Sequence, residues 1–232
     1  MKGYIEEPSL FGGRNFCCGF GDEEFRVVEV SRDIANRMIV ENHYSHKYYA
    51  ASYIHLGVYI LKRLVGILQF GYAMNPASQD GVVSGTEIDE YLELNRMWLH
   101  DDAPRNSESQ AISYAIKYIR RKFPKIKWIQ SFADERCGKF GIVYQAANFK
   151  YFGEHDSTFW QLGDEWYHNS LMTRNPELSK SAAFIQKHKE DAIPITLRQF
   201  RYIYFIDRRV EKNCVLTMVP APKYYAVEEV TA

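Results

Sequence analysis

The hydrophobic pattern in the N-terminal third of the chain changes between a period of two residues and a period of nearly four. FRVVEV at 25–30 and YIHLGVYILKRLVGILQFGYA at 53–73 alternate or run continuously apolar, as β-strands do. The polar residues 62–63 interrupt the second stretch and predict the tip of a hairpin. Between these stretches, residues 31–45 have helical spacing after Ser31, whose hydroxyl is a preferred N-cap.

A strand, a helix and a second strand follow one another closely in the middle of the chain. EYLELNRMWLH at 90–100 and KIKWIQSFAD at 125–134 have the pattern of buried strands. The segment between them carries, after a predicted cap at Asn106, one apolar helical stripe made of Ala111, Ile112, Ala115, Ile116 and Ile119. This order with short joints predicts a right-handed parallel unit.

The C-terminal part of the chain predicts more strands around short helices. GIVYQAANFKYFGE at 141–154 indicates a short helix that turns directly into a strand, and Gly163–Asp164 indicates a hairpin turn. A polar helix at 179–190 precedes an aromatic and basic strand, LRQFRYIYFIDRR at 197–209.

These elements predict an α/β (α+β) fold with a mixed central sheet flanked by helices. Four glycines are scattered over residues 11–24 without a preceding strand, so we expect residues 1–24 to be a flexible leader. Residues 25–175 form the predicted core. Residues 176–232 are expected to be a C-terminal extension that packs on this core and is a candidate for dimer or DNA contact.

Composition limits the class of protein. The 232 residues carry 29 Lys and Arg against 29 Asp and Glu, so any nucleic-acid surface must be a local patch. The four cysteines, Cys17, Cys18, Cys137 and Cys214, show neither a CxxC pair nor zinc spacing. No apolar run approaches the roughly 20 residues of a membrane span. We therefore expect a cytoplasmic protein without disulfides and without membrane contact.

Two segments interleave basic and aromatic residues in a way that suits a DNA backbone. They are RRKFPKIKW at 120–128 and the strand at 197–209, and the hairpin tip adds two cations. Charge runs of this kind are more often solvated faces. The candidate DNA-binding residues are Lys62, Arg63, Arg120, Arg121, Arg198, Arg201 and Arg208. A homodimer would let two such surfaces grip one duplex, and the C-terminal strand has the apolar content to pair across a symmetry axis.

Five short motifs occur in an order that resembles a known family. They are NHYS at 42–45, ELNR at 93–96, PRNSES at 104–109, SFAD at 131–134 and YQA at 144–146. Together they resemble the phage Mom proteins, enzymes with a GNAT-like acyltransferase fold, over about residues 26–160. The resemblance implies conversion of adenine in double-stranded phage DNA to N6-carbamoylmethyladenine, which protects that DNA from host restriction. It also implies six catalytic residues: His43, Tyr44, Arg96, Ser109, Asp134 and Tyr144.

The implied reaction needs a proton acceptor and an extruded base. Adenine N6 is a poor nucleophile because its lone pair is delocalised into the ring, and a stacked base is out of reach of an enzyme. Asp134 ends a central parallel strand, where open sheets bind ligands, and could take the N6 proton. The alternative role for Asp134 is to cap the next turn. Tyr144 could donate a proton to a leaving group, or else pack in the core with a satisfied hydroxyl.

The end of the first helix and the central strand add further candidates. His43 and Tyr44 would face the substrate, and Tyr44 could stack on a flipped base; a lone histidine there is otherwise usually a helix C-cap. A buried guanidinium such as that of Arg96 must be paired. Strand alternation places Glu93 on the opposite face, which favours Asp134 or a ligand carboxylate as the partner of Arg96.

The resemblance also implies an acyl donor such as acetyl-CoA. GNAT enzymes hold the CoA pyrophosphate on a loop with glycines, and the candidates in this chain are Arg105, Asn106 and Ser107. Glu108 and Gln110 stand where the glycines belong. Either CoA binds in a changed pose, or this helix start holds polar groups of the reaction, with the Ser109 hydroxyl pointing into the cleft.

Iron is a second candidate cofactor. His43, His46 and Asp134 are residue types that ligate iron in a 2-His-1-carboxylate triad, and the two histidines are spaced to share a helical face. On sequence alone, the reading without a metal is the stronger one.

Two other functions stay open. A CoA-dependent N-acetyltransferase acting on a protein or small-molecule amine fits the same fold, although the missing glycines count against it. A non-catalytic DNA-binding or structural protein on a GNAT-like scaffold predicts that DNA is left unmodified.

Overall fold

The computed structural model describes residues 1–9, 15–138 and 140–223. Its strands are β1 Gly3–Pro8, β2 Asn15–Gly21, β3 Phe25–Glu29, β4 Ser52–Ile60, β5 Arg63–Gly71, β6 Tyr91–Leu99, β7 Trp128–Asp134, β8 Lys150–Leu162, β9 Glu165–His168 and β10 Ile193–Phe205. They form one sheet in the order β1-β2-β3-β4-β5-β6-β7-β10-β8-β9. Within it, β6 and β7 run parallel, and the other neighbouring strands are antiparallel.

Helices cover both faces of this sheet. They are α1 Arg32–Asn42, α2 Ser107–Lys122, α3 Ile142–Ala146, α4 Ser170–Thr173 and α5 Lys180–Lys187. The apolar side chains of α2 and α3 pack on one face, and those of α1 pack on the other. The predicted mixed α+β sheet flanked by helices is therefore confirmed. In the part of the chain that the structure describes, no helix combines the length and the apolar character of a membrane span.

The starts of the two longer helices differ. The Ser31 hydroxyl accepts a hydrogen bond from the Ile34 N–H at 3.3 Å and caps α1 as predicted. Asn106 is at the N-cap position of α2, but it has a left-handed conformation with φ 70°, and its side chain makes no capping hydrogen bond. Apolar packing therefore stabilises α2 more than its cap does, because the stripe from Ala111 to Ile119 is buried.

The N-terminal residues differ from our expectation of a leader, because β1 and β2 extend the sheet. The Phe20 ring of β2 packs edge-on against Tyr114 of α2, with centroids 5.0 Å apart. Gly19, whose residue type had indicated a loop, allows β2 to approach β3, since an added Cβ would overlap the Val27 carbonyl oxygen. Gly19 and Gly21, the two glycines of β2, therefore serve strand packing, while Gly12 and Gly13 lie outside the described residues.

The C-terminal residues also differ from our expectation of an extension packed on the core. β10 lies inside the sheet between β7 and β8, so a boundary at residue 175 would cut the core. From Gln199 to Ile203, β10 pairs with β7 on one side and β8 on the other. This stretch therefore has no free edge to pair across a symmetry axis.

Gly141 allows α3 to pack against β10. It has φ 77°, and an added Cβ would overlap the Tyr202 ring. That ring is fixed, because its hydroxyl donates to Phe140 O at 2.5 Å and accepts from Gln145 Nε2 at 3.0 Å. We expect Gly141→Ala to lower the free energy of unfolding by about 3 kcal/mol, through strain and overpacking together. Urea denaturation would measure this, and Gly138→Ala, which has a similar φ but open space around it, should cost clearly less.

Candidate active site

β6 and β7 stop pairing partway along their length, and we call the parting beyond the last pair the cleft. The two strands pair only over Tyr91–Glu93 and Trp128–Gln130, although both continue further. Just beyond the last pair, Ser131 Oγ donates to Leu94 O at 3.2 Å. Ligands of open α/β sheets bind at such a parting of parallel strands. This cleft is therefore the candidate active site.

A β-bulge interrupts β6 beside the cleft. In the pairing with β5, Gln69 lies opposite Arg96, and Phe70 lies opposite Leu94. Asn95 is therefore an extra residue that has no partner of its own across the ladder. Side chains on the two sides of a bulge no longer follow simple alternation.

The Asn95 side chain anchors the bulge and changes the surroundings of Glu93. Asn95 Nδ2 donates to Tyr72 O at 3.1 Å and to Glu93 Oε1 at 3.2 Å, while its Oδ1 accepts from Ser52 Oγ at 2.9 Å. Glu93 and Arg96 lie within electrostatic reach of each other. The expectation that alternation separates these two side chains does not hold, because it ignored the bulge.

Glu93 is a partly buried residue whose carboxyl lies at the apex of the cleft. Its Oε2 accepts from Gln130 Nε2 at 3.0 Å, and the guanidinium groups of Arg96 and Arg201 lie within electrostatic reach. Burial raises the pKa of Glu93 to about 7, because the amide hydrogen bonds and the two arginines only partly offset the loss of water. A carboxyl that titrates near neutral pH can both take and return a proton.

Arg96 holds the loop that follows α1. Its Nε donates to Lys47 O at 3.0 Å, and one terminal nitrogen donates to Asn95 O at 2.7 Å. The guanidinium also lies over the Tyr49 ring, 5.9 Å from its centroid. The predicted pairing of Arg96 with Asp134 is wrong, because Asp134 is bound by another arginine.

That arginine is Arg136, two residues along the chain. Asp134 Oδ1 accepts from the Arg136 backbone N–H and Nε, both at 2.9 Å, and Oδ2 pairs with a terminal nitrogen of the same guanidinium. Burial alone would raise the pKa of Asp134, but these hydrogen bonds outweigh it and place the pKa below its usual value. Asp134 thus caps the following turn and remains ionised, so it is a poor proton acceptor.

His43 and Tyr44 lie together at the end of α1. Their rings pack 4.3 Å apart at 33°. His43 is buried, and its Nδ1 accepts from the Ser45 N–H at 3.1 Å, which places the proton of the neutral ring on Nε2. Burial, followed by the charge of Arg96, lowers the pKa of His43 to about 3. His43 is therefore a neutral hydrogen-bond donor.

Tyr144 is a buried core tyrosine at the edge of the cleft. Its ring packs against Phe149 and Tyr202, with centroids 5.7 Å and 5.4 Å apart, and its hydroxyl interacts with the Ser131 side chain. Burial raises the pKa of Tyr144 to about 12. The packing alternative describes the position of this residue well.

Tyr144→Phe separates packing from proton transfer. The ring keeps its contacts in this variant, and the loss of the polar interaction with Ser131 should cost about 1 kcal/mol of stability at most. Because the hydroxyl is engaged with Ser131 and has a raised pKa, we expect the turnover number to fall by less than about tenfold. Single-turnover kinetics at saturating substrate would measure the turnover number. A loss of a hundredfold or more would show that the Tyr144 hydroxyl takes part in the reaction.

The start of α2 is a poor fit for a pyrophosphate cradle. Ser107 is buried, and its N–H donates to Pro104 O at 3.0 Å. No glycine lies between Pro104 and Gln110, and the first turn carries the carboxylate of Glu108. The Ser109 hydroxyl donates to Asn106 O at 3.0 Å, so it serves the helix start. Arg105 is exposed.

The residues proposed to bind iron do not form a metal site. His46 Nδ1 donates to Val40 O at 2.9 Å, which turns the ring back onto α1. Across residues 1–9, 15–138 and 140–223, no three His, Cys, Asp or Glu side chains are grouped as metal ligands would be. The predicted triad of His43, His46 and Asp134 is therefore not assembled.

The residues predicted to contact DNA lie in three places. Lys62 and Arg63 are exposed at the β4–β5 hairpin tip. Near the beginning of β7, away from the cleft, a hollow of about 400 Å³ is lined in part by Arg120 and Arg208, and Arg121 pairs with Glu6 at 3.5 Å.

The other two predicted contacts lie on β10. Arg198 is ion-paired with Glu135 and Glu154, at 2.7 Å and 3.5 Å. Arg201 is partly buried, within electrostatic reach of Glu93. These two arginines therefore belong to the protein's own charge network and do not form a continuous surface with the others.

Comparison with known proteins identifies a family and also finds solved structures of low similarity. The sequence model of the Mom protein family matches residues 24–223. The methylcarbamoylase Mom of Escherichia phage Mu is 47% identical over 222 residues, which cover 94% of this chain and 92% of that protein.

Among solved structures, the ribosomal-protein-S5-alanine acetyltransferase of Vibrio fischeri has a TM-score of 0.47 at 10% identity, covering 82% of this chain and 97% of that one. An N-acetyltransferase of Staphylococcus aureus Mu50 has a TM-score of 0.45 at 9% identity, covering 78% and 97%. These low scores carry no argument about activity.

Proposed function

Since the chain belongs to the Mom protein family, we propose that it transfers a carbamoylmethyl group to N6 of adenine in double-stranded DNA. The phage Mu relative is named a methylcarbamoylase. The observation that carries the proposal is the Glu93 carboxyl, which lies at the apex of a cleft and has a pKa near 7. The Tyr49 ring and the guanidinium groups of Arg96 and Arg201 lie near it. An extruded base needs aromatic groups to stack on, and its phosphates need cations.

Glu93 is the proton acceptor in this proposal. As a bond forms between N6 and the methylene carbon of the incoming group, the bond between that carbon and its donor breaks and its electron pair leaves with the donor. An N6–H bond breaks as well, and the proton passes to Glu93. Gln130 and Asn95 hold the two carboxylate oxygens, and Arg96 stabilises the negative charge that the carboxylate has before it takes the proton. Asp134 remains ionised and acts as a hydrogen-bond acceptor.

The partner is duplex DNA from which the target adenine is rotated out. In the host-cell cytoplasm, the modified adenine would protect phage DNA from restriction enzymes that read the base edge. The start of α2 lacks the glycine-rich backbone cradle of GNAT enzymes, so the scheme is written for any donor whose leaving group takes the electron pair of its bond to the methylene carbon.

Mass spectrometry of nucleosides tests the proposal. Plasmid DNA would be taken from bacteria expressing the protein and from bacteria carrying the empty plasmid. We expect a deoxyadenosine heavier by one carbamoylmethyl group in the first sample alone. Unmodified DNA from cells that contain the folded protein would reject the proposal, and binding of acetyl-CoA by that protein would then favour the N-acetyltransferase.

A further inference from the structure

Three aromatic rings surround the guanidinium of Arg136. The central carbon of the guanidinium lies 4.7 Å from the ring centroid of Phe159, 4.9 Å from that of Trp166 and 5.3 Å from that of Tyr44. We call Tyr44, Phe159 and Trp166 the aromatic box. Its members come from the end of α1, from β8 and from β9, so the fold brings distant segments together around one planar cation.

Contacts between the β8–β9 hairpin and the loop after α1 hold the box in shape. Lys47 Nζ donates to Trp166 O at 3.1 Å, pairs with the Glu165 carboxylate and lies 4.6 Å from the Tyr167 ring centroid. Arg96 fixes the same loop from the sheet side through Lys47 O. The loop that carries Tyr44 and the hairpin that carries Phe159 and Trp166 are therefore both connected to residues that line the cleft.

Arg136, which occupies the box, also binds a residue of the cleft. Arg136 binds Asp134 through two guanidinium nitrogens, and its side chain is only 22% exposed. A guanidinium is flat and stacks on aromatic faces, as a nucleobase does. Tyr44, in turn, remains half exposed, so one side of the box is open to solvent.

We propose that the aromatic box is the binding site for the extruded adenine base, and that the Arg136 guanidinium fills it until DNA binds. This proposal rests on the proposed function and assigns its substrate pocket. The purine displaces the guanidinium and stacks on the same rings, at the ordinary stacking distance between a base and an aromatic side chain. Its amino group then lies on the side of Asp134 and the cleft.

The displaced side chain has a second role in the complex. A guanidinium that leaves a carboxylate can bind a phosphate group with two parallel hydrogen bonds, and the extruded nucleotide brings its own phosphates. One movement of Arg136 therefore empties the box, exchanges Asp134 for a phosphate and leaves the Asp134 oxygens free to accept the adenine amino group. Binding of DNA and completion of the site are coupled by this exchange.

Binding of 2′-deoxyadenosine tests the box without DNA extrusion, and equilibrium dialysis of the labelled nucleoside is the measurement. Trp166→Ala removes a wall and should weaken binding by roughly tenfold or more. Trp160→Ala is the matched control, because Trp160 is a tryptophan of the same hairpin that bonds Asn169 instead and should leave binding unchanged. Circular dichroism would verify that each variant folds.

A second pair of variants tests the occupant. Asp134→Asn with Arg136→Ala empties the box without leaving an unpaired buried carboxylate, and Asp134→Asn alone is its control. The double variant should bind deoxyadenosine several-fold more tightly than the control. If it does not, or if Trp166→Ala binds as well as wild type, the box is not the base site.

The outcomes of the nucleoside-binding experiments can be distinguished from the outcome of the DNA modification experiment. The expected nucleoside binding together with unmodified plasmid DNA would keep the box and reject the proposed reaction. Modified DNA together with nucleoside binding that ignores Trp166 and Arg136 would keep the reaction and reject the box.

Discussion

Glu93→Gln is expected to reduce the turnover number for adenine modification by about 10²- to 10⁴-fold, the usual contribution of a positioned general base. Glutamine has the same size, and its carbonyl oxygen can still accept from Asn95 Nδ2. Its NH2 group replaces the oxygen that accepts from Gln130, and a turned Gln130 amide can accept from it through Oε1, which is buried without a partner in the wild type, so the cleft should keep its shape. What the variant loses is the ability to bind a proton. Quantitative mass spectrometry of a DNA substrate at saturating concentration would measure the rate, and a rate within a few-fold of wild type would remove Glu93 from the mechanism.

The pH dependence of activity and of stability provides a second test of Glu93 as the proton acceptor. Because the base form is the carboxylate, activity should rise with pH and level off above a pKa of about 7. Stability has the opposite sign: a carboxyl whose pKa is raised by folding stabilises the protein fully below its unfolded pKa, and this stabilisation is lost as the pH rises through the folded pKa. Unfolding titrations between about pH 4 and 8 should show this decline in wild type and a flatter profile in Glu93→Gln.

Asp134→Ala is expected to abolish modification and to lower the free energy of unfolding by about 2–3 kcal/mol. The loss of one partner from a buried ion pair typically costs 3–5 kcal/mol, and the partial exposure of Arg136 reduces that figure. The variant also loses the cap of the turn that follows β7. Urea denaturation and nucleoside mass spectrometry on the same preparation would separate the two effects.

The chain contains a matched control for Asp134. Asp207 caps its turn and binds Arg209 by the same pattern of hydrogen bonds, with the Arg209 N–H and Nε both at 3.0 Å from Oδ1. This pair lies at the far end of β10 with Arg209 mostly exposed, so Asp207→Ala should keep full activity and nearly full stability. Equal losses in the two variants would mean that Asp134 has only the local role of a cap.

Most of the fold was predictable because its elements have clear periodicity. The α2 stripe, the β4–β5 hairpin and the strand–helix–strand unit follow from spacing alone. The N-terminal end of the sheet does not follow, because the glycines of β2 indicate a loop by residue type alone. The place of β10 between β7 and β8 does not follow either, because it depends on pairing with distant strands, and the local pattern carries no information about such pairing.

The candidate site was predicted in part for similar reasons. Motif resemblance identified His43, Tyr44, Arg96 and Asp134, and the structure brings these residues around one cleft. Motif resemblance could not identify Glu93 as part of the site. The bulge at Asn95 brings Glu93 and Arg96 to the same face, and this bulge is visible only in the strand pairing. Arg136 was missed as well, although an arginine two residues after a strand-ending aspartate is a signal that the equivalent pair Asp207 and Arg209 repeats.

The position of β10 within the sheet has a consequence for the synthesis of the protein. β7 emerges from the ribosome about 65 residues before the strand that fills its free edge, since Asp134 pairs with Gln199. Until then, β7 and β8 expose unsatisfied backbone edges, which are sites of misassembly. The cleft can form only after β10 has been synthesised, so a chain that stops before β10 should aggregate and should not yield a partly active enzyme.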